Sequence, residues 1–222
     1  MEREPAQTLS VAGKIRSIQD AMGVLERYPR KTPAAFDLVG VGKPGNLTPQ
    51  EVVRTRKISS RITNNEVTYF VEIASTAPWD VPSGDLAAAD PDADSSNHSL
   101  FSSMSDLYWH FAKDAHKGVS FEKISKVLHL KMPDLFPILD SHIARAYAPA
   151  AKALRKEYPD LGWRRRTWIA VRKDLLEARA SGALDQLRHK IRSYRSDDAG
   201  MQEHVRRLDG LTDLRLLDIL VW

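Results

Sequence analysis

The chain has no cysteine among its 222 residues, and this absence excludes disulfides, thiolate nucleophiles and metal or iron–sulfur sites with cysteine ligands. It also has no apolar run near the roughly 20 residues that a membrane-spanning helix needs. The charged start Met1–Pro5 is not followed by the apolar core of a secretory signal. A reducing compartment fits a protein without cysteine. We therefore expect a cytoplasmic protein that has no membrane partner.

Two further kinds of site are incomplete in the sequence. His110, His116 and His129 lie in one region, but no full set of metal ligands accompanies them. The glycine-rich run Gly40–Gly45 lacks the complete GxxxxGK[ST] pattern of a phosphate-binding P-loop. We therefore expect neither a metal nor a cofactor, and the run favours a plain turn.

Acidic residues are scarce in one stretch of the chain, which we call the basic helical region. From Arg145 to Arg195 there are 14 Lys and Arg against five Asp and Glu, a local net charge of +9 in a chain whose total is +4. A one-sided cationic region is typical of a surface that binds a polyanion. A solvated helix face has the same composition, so both interpretations stay open.

Hydrophobic spacing predicts a mostly α-helical protein with at most minor β structure, either a single helical domain over residues 1–222 or two closely packed helical lobes. The N-terminal apolar stripe predicts a helix from Gln7 to Arg27. The capping box Thr48–Glu51 predicts another helix that reaches about Ile62. Residues 66–74 alternate like a strand but also allow a capped helix, which we favour because no partner strand is evident. Residues 78–97, rich in Pro, Asp, Ala and Ser, predict a flexible loop that serves as a connection or a lid.

The region 105–147 is where functional signals are most dense. A turn at residues 118–120 leads into an amphipathic helix, an apolar connection at Leu135–Leu139 and then Asp140, which opens the next helix. At such a position an aspartate commonly caps the helix, a contribution of about 1 kcal/mol. A carboxylate beside an apolar run can also carry chemistry, so both roles are open for Asp140.

This order of parts resembles the helix-hairpin-helix DNA glycosylase superfamily, in which a G-[VI]-G hairpin and a helix lead to a V-D-[ST]-H-[VI] motif. Residues Leu139–Ile143 correspond to the motif, and Ser120 stands where the hairpin has its second glycine. The resemblance implies a glycosylase-like helical architecture, DNA as the partner and catalysis by Asp140. The hairpin residues that would contact DNA are Gly118, Val119 and Ser120.

Bifunctional members of that superfamily carry a nucleophilic lysine 18 residues before the catalytic acid. Here that position is Glu122, with Lys123 beside it. The resemblance therefore implies a monofunctional enzyme that uses water and leaves an abasic site. Its accessory site residues would be Glu122, Lys123, Ser141 and His142.

Cleavage of an N-glycosidic bond develops positive charge on the sugar, which a nearby carboxylate stabilises while it activates the attacking water. A base inside a duplex must be flipped into a pocket before it can be reached. The aromatic residues expected to stack on that base are Trp79, Tyr108, Trp109 and Phe136. Core packing is the competing role for the same rings.

The segment Trp163–Trp168 is the second functional candidate. Arginine presents forked donors to phosphate, and an indole stacks on bases. The two tryptophans do not share a helix face, and we expect Trp168 in the core. The DNA contacts predicted here are Trp163, Arg164, Arg165 and Arg166. A solvated or ion-paired patch is the alternative.

The whole chain, with its segments WRRRTW and LTDLRLLDILVW, also resembles an uncharacterised, chiefly actinobacterial protein family, which supplies no activity. The second segment predicts a buried closing helix within Leu208–Trp222.

The leading hypothesis is a DNA glycosylase that excises a damaged or modified base with Asp140. DNA repair is its default role, and antiphage defence against hypermodified phage bases is a further one. The alternative hypothesis is a non-catalytic DNA-binding module on the same scaffold. A protein-interaction module that uses loop 78–97 is a third.

Overall fold

The computed structural model describes residues 8–43, 45–93 and 98–222, which are mostly helical and contain one two-stranded sheet. The predicted fold class is therefore confirmed. Residues 94–97 of the predicted loop lie outside the described part.

The strands and helices are numbered in chain order. They are β1 (Thr8–Val11), β2 (Lys14–Ser17), α1 (Ile18–Arg27), α2 (Pro49–Arg54), α3 (Asn64–Ala74), α4 (Leu100–Ala112), α5 (Phe121–Lys131), α6 (Ser141–Ala153), α7 (Trp163–Ala180), α8 (Ala183–Ser193), α9 (Ala199–Arg207) and α10 (Asp213–Leu220).

The contacts divide the chain into two units. The first unit combines the N-terminal residues up to Pro33 with Arg145–Trp222, and the second unit is Ala34–Ala144. The region that resembles a glycosylase therefore lies mainly in the second unit, and the basic helical region lies in the first.

The first unit opens with a β-hairpin where the sequence predicted a helix from Gln7, itself outside the described residues. Strands β1 and β2 pair antiparallel through a two-residue turn at Ala12 and Gly13, whose φ angles of 53° and 74° are both positive. Such a turn matches the twist of paired strands. The Ala12 N–H donates to Asp174 Oδ2 at 2.7 Å. The helix prediction was wrong here because this turn and a contact distant in sequence outweigh local helical spacing.

The rest of the first unit is a helical core. Trp168 and Leu175 of α7 and Leu187 of α8 are buried in it. The predicted closing helix is confirmed as α10, whose apolar residues are buried. The expectation that Trp168 belongs to the core is also confirmed.

Capping boxes start α2 and α3 of the second unit. Thr48 and Glu51 cap α2, and Thr63 and Glu66 cap α3, with each threonine hydroxyl and each glutamate carboxylate accepting a backbone N–H. The favoured helix over residues 66–74 is therefore confirmed. Helix α2 is shorter than predicted, because a 3₁₀ turn follows it and Ser59 then adopts a φ of 61°.

The described part of loop 78–97 is anchored by its apolar residues. The Trp79 indole N–H donates to the Ala74 carbonyl at 2.8 Å. Leu86 is fully buried, and its N–H donates to the Asp134 carbonyl at 2.9 Å. Along the described chain, the helices lack the combination of length and apolarity that a bilayer crossing requires.

Candidate functional site

Asp140 caps α6 with one carboxylate oxygen and leaves the other unbound. Its Oδ1 accepts the backbone N–H groups of His142 and Ile143, each at 2.9 Å. No hydrogen-bond partner of Oδ2 is found within the described residues, and the side chain is partly exposed. The two hydrogen bonds from backbone N–H groups fix the orientation of the carboxylate, so Oδ2 can contact a water or a ligand in a defined position.

The connection that carries Asp140 is fixed by one face of α5. Ser125 Oγ accepts the N–H of Leu139 at 3.0 Å, and the His129 ring Nδ1 lies 2.7 Å from the carbonyl of Phe136. Ser125 and His129 are four residues apart, so they share a helix face. Neither residue was predicted from the sequence, although the signal was there: two polar residues four apart on the buried face of an amphipathic helix.

We expect Ser125→Ala to destabilise the protein by about 1–3 kcal/mol, because it leaves the buried Leu139 N–H without an acceptor. Urea unfolding measures the difference. Ser105→Ala is the matched control, because within the described residues the Ser105 hydroxyl bonds to the carbonyl of Phe101 in its own helix. Equal losses in the two variants would show that Ser125 does not hold the connection.

The candidate accessory residues Glu122 and Lys123 are both ion-paired. Lys123 Nζ lies 2.6 and 2.8 Å from the two oxygens of Glu66 and 3.0 Å from the Gly118 carbonyl. Glu122 Oε1 accepts from the buried Lys126 Nζ at 2.6 Å. Lys123 therefore ties the hairpin turn to α3, and its ammonium group already has three acceptors.

Glu66 is a positioning residue that the sequence analysis did not single out. Burial by itself would raise the pKa of Glu66, but hydrogen bonds from Lys123 and from the Thr63 N–H outweigh it and hold that pKa below its usual range. The signal in the sequence was the capping-box spacing of Thr63 and Glu66.

The hairpin turn depends on a glycine at residue 118. Gly118 has a φ of 106°, and a Cβ there would lie 2.5 Å from Glu66 Oε1. Ser120, in place of a second glycine, caps α5 by accepting the Lys123 N–H at 3.4 Å. Gly118 and Ser120 are exposed and Val119 is partly exposed, and exposed Ser141 and partly exposed His142 begin α6.

Two of the four rings predicted to form a base pocket are in the core. Phe136 is 1% exposed and Tyr108 is 5% exposed, so neither can stack on a base, and the prediction is wrong for them. Trp79 packs its ring edge-on against Phe111 at 5.7 Å. Trp109, at 61% exposure, presents an open ring face. Helical spacing distributes the aromatic residues of α4 over several faces of the helix. Trp109 lies on an exposed face, whereas Tyr108 and Phe111 lie on buried ones.

The segment from Trp163 to Arg166 forms the first turn of α7. Trp163 is exposed, and the Arg164 guanidinium carbon lies 5.4 Å from its ring centroid. Arg166 donates from Nε to the Ala151 carbonyl at 3.1 Å and from Nη1 to the Leu161 carbonyl. Two of the five donors of Arg166 are thus bound to carbonyls of the chain, which holds its guanidinium against α6, and the contact of Arg166 with phosphate stays a prediction.

Part of the charge of the basic helical region is neutralised within the first unit. Asp213 pairs with Arg179 and Arg188, and Asp209 pairs with Arg188 and Arg192. Burial would raise the pKa of Asp213, but the hydrogen bonds from the two arginines lower it. The acids lie outside the window 145–195, so counting charge within that window overstates the free positive charge.

Four further cations of this region lie where α6 ends and α7 begins. We call this the α6–α7 patch, and its members carry no ion pair within the described ranges. They are Lys152, Arg155, Lys156 and Arg165. Arg165 makes one long hydrogen bond of 3.5 Å to the Asp160 carbonyl. In this part of the basic helical region, positive charge is available to an anion.

A cleft lies elsewhere in the second unit, lined by residues from Val39 to Arg54. It does not include Asp140 or the other residues predicted for catalysis, base stacking or DNA contact. Histidines, aspartates and glutamates of the described chain form no group of three able to hold a metal.

No curated protein and no solved structure matches the chain. Residues 30–222 match a family described as "Family of unknown function (DUF6308)". Because this match covers most of the sequence, the chain belongs to the DUF6308 family.

Proposed function

We propose that this protein binds DNA and hydrolyses the N-glycosidic bond of a damaged or modified base, leaving an abasic site. The observation that carries the proposal is the carboxylate of Asp140, with one oxygen held by two backbone N–H groups and the other without a hydrogen-bond partner among the described residues. The turn, helix, apolar connection and acid occur in the order that the glycosylase resemblance requires.

In this mechanism Asp140 Oδ2 faces the sugar and stabilises the positive charge that develops as the bond to the base breaks. The same oxygen orients or deprotonates the attacking water. The neighbours Leu139 and Ile143 are buried, which keeps the carboxylate on a rigid support. Lys123 is paired with Glu66, so water is the nucleophile in this proposal and no Schiff base forms.

DNA would be held by the α6–α7 patch and by Trp163 and Arg164 at the start of α7. Free Lys and Arg side chains displace counterions from phosphates, and the observed affinity then falls with salt. The role we propose is in the cytoplasm, in repair or in antiphage defence against modified bases.

We expect the logarithm of the DNA-binding constant to fall with the logarithm of salt concentration by about 0.9 for each phosphate contacted. Arg165→Gln and Lys156→Gln should each reduce that slope by about 1, measured by fluorescence anisotropy with a labelled duplex. Arg192→Gln is the control, because Arg192 is already paired with Asp209. If neither substitution in the α6–α7 patch changed the salt dependence, the patch would not contact DNA.

A non-catalytic DNA-binding module is the second candidate. It is favoured by the burial of Tyr108 and Phe136, which leaves Trp109 as the well-exposed ring among the four predicted base-stacking residues. Such a module binds DNA with the same salt dependence but cleaves no glycosidic bond.

The two candidates separate in one experiment. The purified protein is incubated with oligonucleotides that carry damaged bases and with phage DNA that carries hypermodified bases, and alkali-labile strand breaks are measured. Breaks that appear with one base type support excision. Salt-dependent binding without breaks on every substrate supports the binding module.

A further inference from the structure

The second unit contains a cleft that the proposed function does not use. It has a volume of about 480 Å³ and lies between the glycine-rich turn and α2. Residues of the turn, among them Gly40, Gly42 and Lys43, line one side, and Glu51 and Arg54 of α2 line another. It is large enough for a small ligand.

The cleft is cationic although a carboxylate lines it. Glu51 Oε1 accepts from Lys131 Nζ at 2.8 Å, and Oε2 accepts the Thr48 N–H at 2.7 Å. Burial would raise the pKa of Glu51, but hydrogen bonds from Lys131 and Thr48 hold it below its usual range. Lys43 and Arg54 have no ion pair within the described residues, so both positive charges are available to a ligand.

Arg54 has an unused buried donor. Its Nη2 donates to the Gly40 carbonyl at 3.0 Å, which holds the guanidinium against the turn. Its Nε is buried and has no hydrogen-bond partner in the described part of the chain. Buried donors almost always have a hydrogen-bond partner. An acceptor atom of a ligand in the cleft would supply that partner to Arg54 Nε.

The glycine-rich turn leaves its backbone accessible to a ligand at Gly40, where a Cβ would meet no atom of the described residues within 4 Å. Gly40 and Gly42 have φ angles of 89° and 67°, a region that favours glycine. A Cβ at Gly42 would lie 2.1 Å from Glu51 Oε1, so the turn packs directly against the Glu51 carboxylate of α2 at this residue. Val39 lines the cleft and is exposed, so it forms an apolar rim.

We propose that this cleft binds the phosphate group of a nucleotide, with Lys43 and Arg54 as its cationic contacts and Val39 beside the attached base. A phosphate offers several acceptor oxygens, and arginine binds such groups through forked donors. The inference stands independently of base excision, because none of the residues assigned to that reaction lines the cleft.

The test is isothermal titration calorimetry of the full chain with inorganic phosphate, a nucleoside 5′-monophosphate and a single-stranded oligonucleotide, each in chloride buffer at one ionic strength. We expect Lys43→Gln and Arg54→Gln to weaken binding of the phosphate ligand by about tenfold or more. The matched controls are Lys57→Gln, which removes a charge outside the cleft, and Arg56→Gln, whose guanidinium is bound to Ile62 and Asn64.

The three ligands identify the source of the phosphate. A nucleotide that binds more tightly than inorganic phosphate shows that the base contacts the apolar rim, and equal affinities assign the site to the phosphate group alone. Oligonucleotide binding that depends on Lys43 assigns the site to a polynucleotide.

Arg54→Gln also removes the hydrogen bond to Gly40, so Lys43→Gln, at an exposed residue, is the variant expected to keep the fold. No binding of any ligand, or binding unchanged in Lys43→Gln, overturns the proposal.

Discussion

Asp140→Asn is expected to lower base excision by about 100-fold or more while leaving stability almost unchanged. Asparagine caps a helix nearly as well as aspartate, because its side-chain oxygen also accepts backbone N–H groups. It carries no charge, so it cannot stabilise a cationic sugar or accept a proton from water. The measurement is the single-turnover rate of alkali-labile break formation on the best substrate.

Comparison with Asp140→Ala distinguishes the helix-capping role of Asp140 from its role in catalysis. It removes both functions and should lower the free energy of unfolding by about 1 kcal/mol, which Asp140→Asn should not do. Asp198→Asn makes the same chemical change at the cap of α9, whose Met201 N–H bonds to Asp198 at 3.1 Å, and should leave excision unaffected. If the Asp140→Asn variant still excised the base, a residue other than Asp140 would have to be the catalytic one.

Features encoded in short stretches were predictable from the sequence. Both capping boxes place their threonine and glutamate three residues apart, and each helix begins where that spacing indicates. The cap at Asp140 was an open alternative in the sequence, and its amide contacts depend only on the next three residues. The mostly helical class follows from the same local signals.

Features that depend on partners distant in the sequence were not predictable. Asp174 bonds to Ala12 across 162 residues and fixes the β-hairpin where spacing predicted a helix. Arg166 was predicted only as a phosphate ligand, but its Nε also donates to the carbonyl of Ala151, 15 residues earlier. The burial of Phe136 depends on how α5 folds back on the connection. In each case tertiary packing, which no local pattern contains, decides the role of the side chain.

Glu66→Gln is expected to lower the free energy of unfolding at neutral pH by about 3–5 kcal/mol, because removing one member of a buried ion pair leaves the other charge uncompensated. The Glu66 and Lys123 side chains are 5% and 15% exposed, so water cannot replace the lost partner. Glutamine still accepts the Thr63 N–H, so the α3 cap is kept. Adding Lys123→Met should recover much of the loss, and urea unfolding of the double-mutant cycle measures the coupling.

Acid should remove the same stabilisation. The folded-state pKa of Glu66 lies below its ordinary value of 4.5, so its contribution is complete above that value and disappears as pH falls through the folded pKa. The stability difference between wild type and Glu66→Gln should therefore shrink steadily in acid. Glu72→Gln, an exposed change on the same helix, should follow the wild-type curve at every pH. A difference that persisted in acid would mean that Glu66 acts through packing, and the hairpin turn would then not depend on the ion pair.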